Sequence, residues 1–358
     1  MGRRCGSDND LPTPARREGA RPRSANELDL ALVNALQMAP RAPWAQLARP
    51  LGVDAATLSR RWSRLRDSGE AWITCYAAPS QVPYGALALI EVSCLPQARE
   101  ALAGQLARHP QAMSVELVAG SCDLLLTVAT ATMPLMSGYV LALGRIESVT
   151  STRTHLVQRV HRDASEWRMD SLSRDQRRDL TESEDGGSPA AAATLTPEDR
   201  VLLLALAEDG RRSVSSIAAE LGRPESTVRR LLHSLLHGGR AVLRCDAAHR
   251  YAGWRSSATL WMSVPPAQLM AAGDELSRLR STRMAASVSA EANQLSVVWL
   301  HALDDLARYE VQAAARIASM RVLNRAVNLR WIKRMGRLLG DDGRSTGCVP
   351  VDPWHPVT

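Results

Sequence analysis

The sequence contains no phenylalanine and a single lysine, Lys333, so arginine supplies nearly all of its positive charge. Arginine and alanine abundance at the expense of lysine, phenylalanine and tyrosine is what a GC-rich coding sequence imposes. The arginine excess is therefore weaker evidence for a nucleic-acid partner than it first looks. A net charge of +7 is compatible with phosphate binding and does not establish it. Cys5, Cys75, Cys94, Cys122, Cys245 and Cys348 form no C-x-x-C and no close Cys/His spacing, which argues against a zinc site and a disulfide framework. No apolar run reaches the roughly 18 residues of a membrane span. The first residues carry Arg3, Arg4, Arg16, Arg17, Arg21 and Arg23 with no apolar segment, unlike a secretory signal. No carboxylate pair, nucleophile triad or Gly-rich phosphate loop is evident. A cytoplasmic protein without cofactor or metal, and not an enzyme, is the expectation.

What the sequence does contain is a copy of itself. Residue n matches residue n+170 almost without gaps. Asp29 pairs with Asp199, Leu51-Gly52 with Leu221-Gly222, Thr57 with Thr227, Arg60 with Arg230, Gly69 with Gly239, Cys75 with Cys245 and Val128 with Val298. That period is far longer than the roughly 20–50 residues of a solenoid repeat. The chain reads as two copies of an ancestral subunit fused head to tail, so that one chain does what two subunits once did.

Three segments fall outside the copies. Residues 1–25 are expected to form a disordered basic tail, 163–195 a polar linker and 335–358 a flexible tail. A linker of that length spans roughly 30 Å as a flexible coil, enough to let the copies pair within one chain. Each copy opens with three short helices, at 26–80 and 196–250. Leu28, Leu32, Ala35 and Leu36 fall at helical spacing, and Gly52 and Gly222 punctuate the second and third helices. Asp54, Ser213 and Thr196 are expected N-caps, and Pro43 and Pro224 helix openers. A β-like stretch follows each set, at Ala71 to Ala77 and Ala241 to Asp246. Residues 84–162 and 256–334 then read β-α-β-β-α-β, the ferredoxin-like order with two helices on one face of a sheet. The expected fold class is α+β, with two tandem units, each a winged-type helix-turn-helix domain followed by a ferredoxin-like domain.

Three helices with a tight second turn fit a helix-turn-helix, whose third helix enters the major groove. Arginine reads guanine bidentately, and Ser or Thr bonds phosphate or base edges. The candidate DNA contacts are Thr57, Ser59, Arg60, Arg61, Ser63 and Arg64 in the first copy. In the second they are Thr227, Arg229, Arg230 and His233. Trihelical bundles with merely solvated arginines are common, and spacing alone leaves both readings open. The duplication favours DNA, because two linked recognition helices suit two half-sites.

Leu51-Gly52-Val53-Asp54-x-x-Thr57-Leu58-x-x-Arg61-Trp62-x-x-Leu65-x-x-x-Gly69 resembles the helix-turn-helix signature of the leucine-responsive/AsnC (Lrp/AsnC) family of prokaryotic regulators. The ferredoxin-like half resembles that family's effector domain, with Gly120-Ser121-Cys122-Asp123 in place of its Gly-x-x-Asp turn. The resemblance implies binding of double-stranded DNA, pairing through the sheets, further assembly into homo-oligomers, and a small effector such as an amino acid near Gly120 and Asp123. Within this chain the two sheets are expected to form a pseudo-dimer. The second copy departs from the pattern: Leu231 replaces Arg61, and Ala290-Glu291-Ala292-Asn293 replaces the Gly-x-x-Asp turn. Both put its effector pocket and DNA contact in doubt.

Two alternatives differ in class. Siroheme decarboxylases share the architecture and carry a His-x-Tyr-Asn-x-Trp-like stretch on the third strand. Here that place reads Gly120-Ser121-Cys122-Asp123-Leu124-Leu125 and, in the second copy, Asn293-Gln294-Leu295-Ser296, without a suitably placed histidine. The other alternative is an interaction module with vestigial helix-turn-helix domains.

Overall fold

The computed structural model describes residues 26–78, 86–181 and 195–357. The expected tail at 1–25 and the Gly/Pro/Ala part of the linker lie outside the described residues. The first copy comprises α1 (Glu27–Met38), α2 (Trp44–Leu51), α3 (Ala55–Asp67), β1 (Ala71–Ala77), β2 (Ala86–Cys94), α4 (Arg99–Leu106), β3 (Ala112–Ala119), β4 (Leu124–Thr130), α5 (Met133–Leu143) and β5 (Val149–Arg162). After α6 (Arg174–Thr181), the second copy runs α7 (Pro197–Ala207), α8 (Val214–Leu221), α9 (Glu225–His237), β6 (Ala241–Ala247), β7 (Ser256–Ser263), α10 (Leu269–Ser277), β8 (Thr282–Ser289), β9 (Gln294–Leu300), α11 (Asp305–Arg316) and β10 (Arg321–Arg334). Two short strands follow, β11 (Arg337–Leu339) and β12 (Ser345–Cys348). No helix among the described residues is long and apolar enough to cross a membrane.

Local chemistry sets the helix ends. The Asp54 side chain accepts from the Thr57 amide, Ser213 from Ser216, and Thr196 forms a reciprocal capping box with Asp199. Gly52 and Gly222 close α2 and α8 in the left-handed conformation, at φ 66° and 60°.

The strand after each three-helix set finds its partner in the other copy. β1 and β6 form an antiparallel ribbon in which Thr74 faces Arg244, its own equivalent, so the pseudo-twofold axis passes through that pair. The helices pack on this ribbon in exchanged fashion: Cys245 and Ala247 of β6 join the core of α1–α3, and Cys75 of β1 joins that of α7–α9. A reciprocal clasp seals the contact. Arg41 donates to the carbonyls of Gly210 and Arg212 at 2.6 and 2.9 Å, and its equivalent Arg211 donates to those of Pro40 and Ala42 at 2.8 and 2.9 Å. This is the self-complementary contact of a twofold dimer, made inside one chain.

The two ferredoxin-like sheets, β3-β4-β2-β5 and β8-β9-β7-β10, join at both edges. β5 pairs with β2 over Val149–Leu156 and then with β8 over Leu156–Arg162. β10 pairs with β7 over Arg321–Val327 and then with β3 over Val327–Arg334. Eight antiparallel strands thus close into a ring with no free edge between the copies. The helices cover its outside with two aliphatic cores. One end of the interior is filled by Leu89, Val118, Cys122, Leu125, Trp261 and Leu295.

Two segments expected to be loose are packed. Residues 163–181 bury Trp167, Leu172 and Leu180. The Ser171 amide donates to Asn34 Oδ1 at 2.8 Å and the Met169 amide to Gln37 Oε1 at 3.0 Å, tying this stretch to α1. Residues 335–357 are not a flexible tail. β11 adds to β10, the Ser345 amide bonds the Gly69 carbonyl at 2.9 Å, and Arg344 pairs with Glu70 at 2.8 Å. Farther on, Arg200 pairs with Asp352, and Pro353 accepts from the Ala131 amide at 2.8 Å. The two segments occupy equivalent positions after the last strand of each copy. Their few apolar residues and paired backbones, rather than composition, anchor them.

Gly69 has φ 69°, and a Cβ there would collide with the Ser345 carbonyl, whereas Gly52 has φ 66° and open space around it. Gly52→Ala should cost the left-handed penalty alone, about 1–2 kcal/mol. Gly69→Ala should cost clearly more in urea unfolding. Equal costs would show that the C-terminal segment does not dock there.

Candidate nucleic-acid interface and central cavity

α3 buries Leu58, Trp62 and Leu65, and turns Arg60 and Arg64 outward, with Thr57, Ser59, Arg61 and Ser63 half-buried. Not all of these are free. The Thr57 hydroxyl donates to Asp54 at 2.6 Å and accepts from Arg60 at 3.1 Å. Arg61 pairs with Asp29 at 2.9 Å, Arg64 pairs with its other oxygen, and Tyr251 of the second copy donates to it at 3.1 Å. Asp29 is 1% exposed, so these arginines neutralise a buried carboxylate and fix α3 on α1. Arg60 is the outward arginine of α3 that forms no ion pair with a carboxylate among the described residues.

In the second copy, Arg229, Arg230 and His233 are exposed and Thr227 is half-buried. Arg229 lies 3.9 Å from Glu225 one turn earlier, and His233 stacks on His237 at 4.0 Å. Asp199 is as buried as Asp29, yet its positions equivalent to Arg61 and Arg64 hold Leu231 and Ser234. Arg240, from beyond the helix, pairs with Asp199 at 3.2 Å and also reaches Ser234 at 3.1 Å. The departure from the family pattern at Leu231 is therefore a relocated ion pair. The fixed carboxylates at one offset were the signal; the source of the cation was not legible.

The Gly120–Asp123 turn lies on the seam between copies. Gly120 has φ 152°, and a Cβ there would come within 2.7 Å of the Arg325 carbonyl of β10. Asp123 accepts from the Cys94 amide at 2.8 Å and pairs with Arg99 at 2.5 Å. Asn293 does the equivalent work, accepting from the Val264 amide at 3.0 Å and donating to its carbonyl at 2.8 Å. Replacing Asp by Asn keeps the strand-end clamp and loses only the charge.

The other end of the strand ring opens into a cavity of about 630 Å³, between the barrel and the β1–β6 ribbon. Tyr76 and Arg244 line it from the ribbon; Glu116, Thr127, Arg283, Met284, Trp299, Trp331 and Arg334 line it from the barrel. The cluster beside it centres on Asp246. Arg244 Nε lies 2.9 Å and Arg334 Nε 3.8 Å from Asp246 Oδ2, and Arg283 pairs with Oδ1. All four side chains are buried. Arg283 lies 3.9 Å from the Trp299 ring centre and Arg334 4.9 Å. Burial by itself would raise the Asp246 carboxyl, but Arg244, Arg283 and Arg334 hold it well below its usual range. Burial lowers Arg283 to about 9 and Arg334 to about 10. Glu116 is pushed up to about 8 by burial, despite a 2.8 Å hydrogen bond from Asn328. Sequence reading missed this cluster entirely. Its trace lies in the disagreements between copies: Thr74, Tyr76, Met113, Ala129 and Asp163 stand where the second copy has Arg244, Asp246, Arg283, Trp299 and Arg334.

Glu116 binds its proton more tightly folded than unfolded. The stability this gives is full below the ordinary carboxyl range and is lost as pH rises through about 8. Glu116→Gln keeps a neutral side chain at every pH. Its melting temperature relative to the parent should therefore rise between pH 5 and pH 9, read by scanning calorimetry. A difference that stays flat across that range would place Glu116 in water.

Comparison with known proteins agrees with this architecture. The chain matches the AsnC-type helix-turn-helix domain over residues 26–66, the Lrp/AsnC ligand binding domain over 87–167 and the IclR helix-turn-helix domain over 201–242. It is 25% identical over 142 residues to the HTH-type transcriptional regulator FL11 of Pyrococcus furiosus, spanning 39% of this chain and 94% of that one. It is 30% identical over 141 residues to an uncharacterized HTH-type transcriptional regulator of Pyrococcus abyssi, spanning 38% of this chain and 87% of the relative. Each relative is thus about the length of one copy. The crystal structure of the siroheme decarboxylase NirDL superposes with a TM-score of 0.56 over 86% of this chain and 93% of that one, at 14% identity. At that identity the likeness shows a shared two-unit fold and nothing of activity. The duplicated helix-turn-helix, the βαββαβ sheet behind it and these matches make the chain a member of the Lrp/AsnC family of transcriptional regulators.

Proposed function

We propose that the protein is a sequence-specific, DNA-binding transcriptional regulator, not an enzyme, in which one chain supplies both readers of a paired site and a small effector adjusts their grip. The observation that carries this is the Arg41/Arg211 clasp across the ribbon, which holds two recognition helices in one fixed relation. The exposed arginines Arg60, Arg229 and Arg230, with His233, supply the groove contacts. Ser59, Ser63, Thr57 and Thr227 lie beside them for phosphate or base edges. Arg61 and Arg64 act mainly by holding α3 through Asp29.

An amino acid at Gly120 and Asp123 would share the Asp123 carboxylate with Arg99 and the Cys94 amide, whereas the Asn293 turn has no carboxylate to offer its ammonium group. Assembly beyond one chain has support in two equivalent pairs of exposed apolar residues, Met133/Leu303 and Leu141/Val311, at matching places near the outer helices. A relative named as a transcriptional regulator covers one copy almost end to end, which supports the regulator reading over that of the siroheme decarboxylase fold neighbour.

Arg60→Ala and Arg230→Ala should each weaken binding to the protein's own upstream DNA by about 1–3 kcal/mol if the side chain reads a base bidentately, and should flatten the salt dependence. Arg61→Ala should instead lower folding stability more than DNA affinity. Fluorescence anisotropy over a salt series, paired with urea unfolding, separates the two. Unchanged affinity in both of the first variants would refute the assignment.

A further inference from the structure

The cavity between ribbon and barrel is chemically unbalanced. It gathers three buried guanidiniums, Arg244, Arg283 and Arg334, around one carboxylate, Asp246. Asp163, in the cavity wall, accepts the Tyr76 hydroxyl at 2.9 Å. Buried charge of one sign is costly unless something pairs it. The hydrogen bonds tell the same story. Arg334 donates from Nη2 to the Ala247 carbonyl at 2.7 Å, but its Nη1 and Nε have no hydrogen-bond partner among the described residues, and neither has Trp299 Nε1. These are buried donors beside a cavity, and they lack an acceptor.

The copies sharpen the point. The three arginines and Trp299 occupy second-copy positions whose first-copy equivalents are Thr74, Met113, Asp163 and Ala129, the strand registers setting β10 one residue beyond the general offset. A pairing scaffold needs no such difference, since the ribbon and the strand ring use both copies alike. The wall also offers apolar surface from Met113, Met284, Val157 and Val297, beside the polar Ser114, Thr127, Gln158 and Arg159. A volume of about 630 Å³ is that of a small-molecule site rather than a packing defect.

We infer that this cavity is a binding site for an organic monocarboxylate with a bulky apolar body. Its carboxylate would sit on the unpaired edge of Arg334, within reach of Trp299 Nε1, and its body among the methionines and valines. Asp246 already occupies the other two arginines, so the vacancy is for one anionic group. A planar carboxylate suits a guanidinium edge, and the Asp163 carboxylate in the same wall disfavours a dianion. The site is distinct from the Gly120–Asp123 turn, which is at the filled end of the ring. Binding here does not rest on the effector-responsive reading; only a link from occupancy to DNA affinity does. The ribbon that roofs it carries both recognition helices.

Naphthalene-2-carboxylate and its uncharged amide, titrated calorimetrically into the full chain without DNA, test the assignment. The acid should bind at one site per chain, at least tenfold tighter than the amide. Arg334→Gln should abolish that preference, while Asp123→Ala leaves it intact. Because Arg334 also holds the Ala247 carbonyl, Trp299→Phe provides a milder second variant and should weaken the acid several-fold more than the amide. Absence of acid binding, equal affinity for acid and amide, or a preference that survives both Arg334→Gln and Trp299→Phe would overturn the proposal. Anisotropy with upstream DNA, with and without the acid, then addresses regulation separately. Acid binding that leaves DNA affinity unchanged would count against effector control and still support the site.

Discussion

The antiparallel ladder between β1 and β6 is the constraint on which the rest of this molecule depends. Because Thr74 faces Arg244, its own equivalent, the ladder can form only if the two copies are related by a twofold axis through that pair. Once it forms, Arg41 and Arg211 are brought to each other's helix-turn segments, and each finds two backbone carbonyls. The same axis lets β5 and β10 each serve two sheets, one in its own copy and one in the other. A homodimer would need two chains to reach this arrangement. Fusion makes it intramolecular, so it does not depend on protein concentration.

Fusion also releases the copies from identity. In a homodimer every substitution appears twice, and a residue near the axis must tolerate its own image. Here Arg244 faces Thr74 rather than a second arginine. That freedom is used most heavily around the cavity, where Arg244, Arg283 and Arg334 come from one copy alone. It is used more conservatively at the recognition helices. Asp29 and Asp199 stay buried and charged in both copies, while their cations come from α3 in one and from Arg240 in the other.

Much of the fold was legible in the sequence. The caps at Asp54, Ser213 and Thr196, the glycine stops at Gly52 and Gly222, and the strands from Ala86 to Cys94 and Ala112 to Ala119 follow from local patterning. The C-terminal segment did not, because its order comes from backbone pairing with Gly69 and β10, which leaves little mark on composition. Site residues divide in the same way. Arg60 and Arg230 are outward, as helical spacing requires, but nothing local tells that Arg61 and Arg64 converge on Asp29 thirty-odd residues earlier. The cavity was invisible for a stronger reason. Its residues lie on nine strands and match no motif, so only a position-by-position subtraction of one copy from the other would have revealed them.

The central claim is that one chain presents two unlike readers across an intramolecular axis. Ser59 is replaced by Arg229, Ser63 by His233 and Arg64 by Ser234 in the second recognition helix. Selection of bound duplexes from a random pool by the full chain tests this most directly. The account predicts a site of two unlike half-sites in fixed spacing, with their order preserved among the selected sequences. A clean inverted repeat of equal half-sites would contradict it, because that symmetry requires the like domains of two separate chains to pair on DNA.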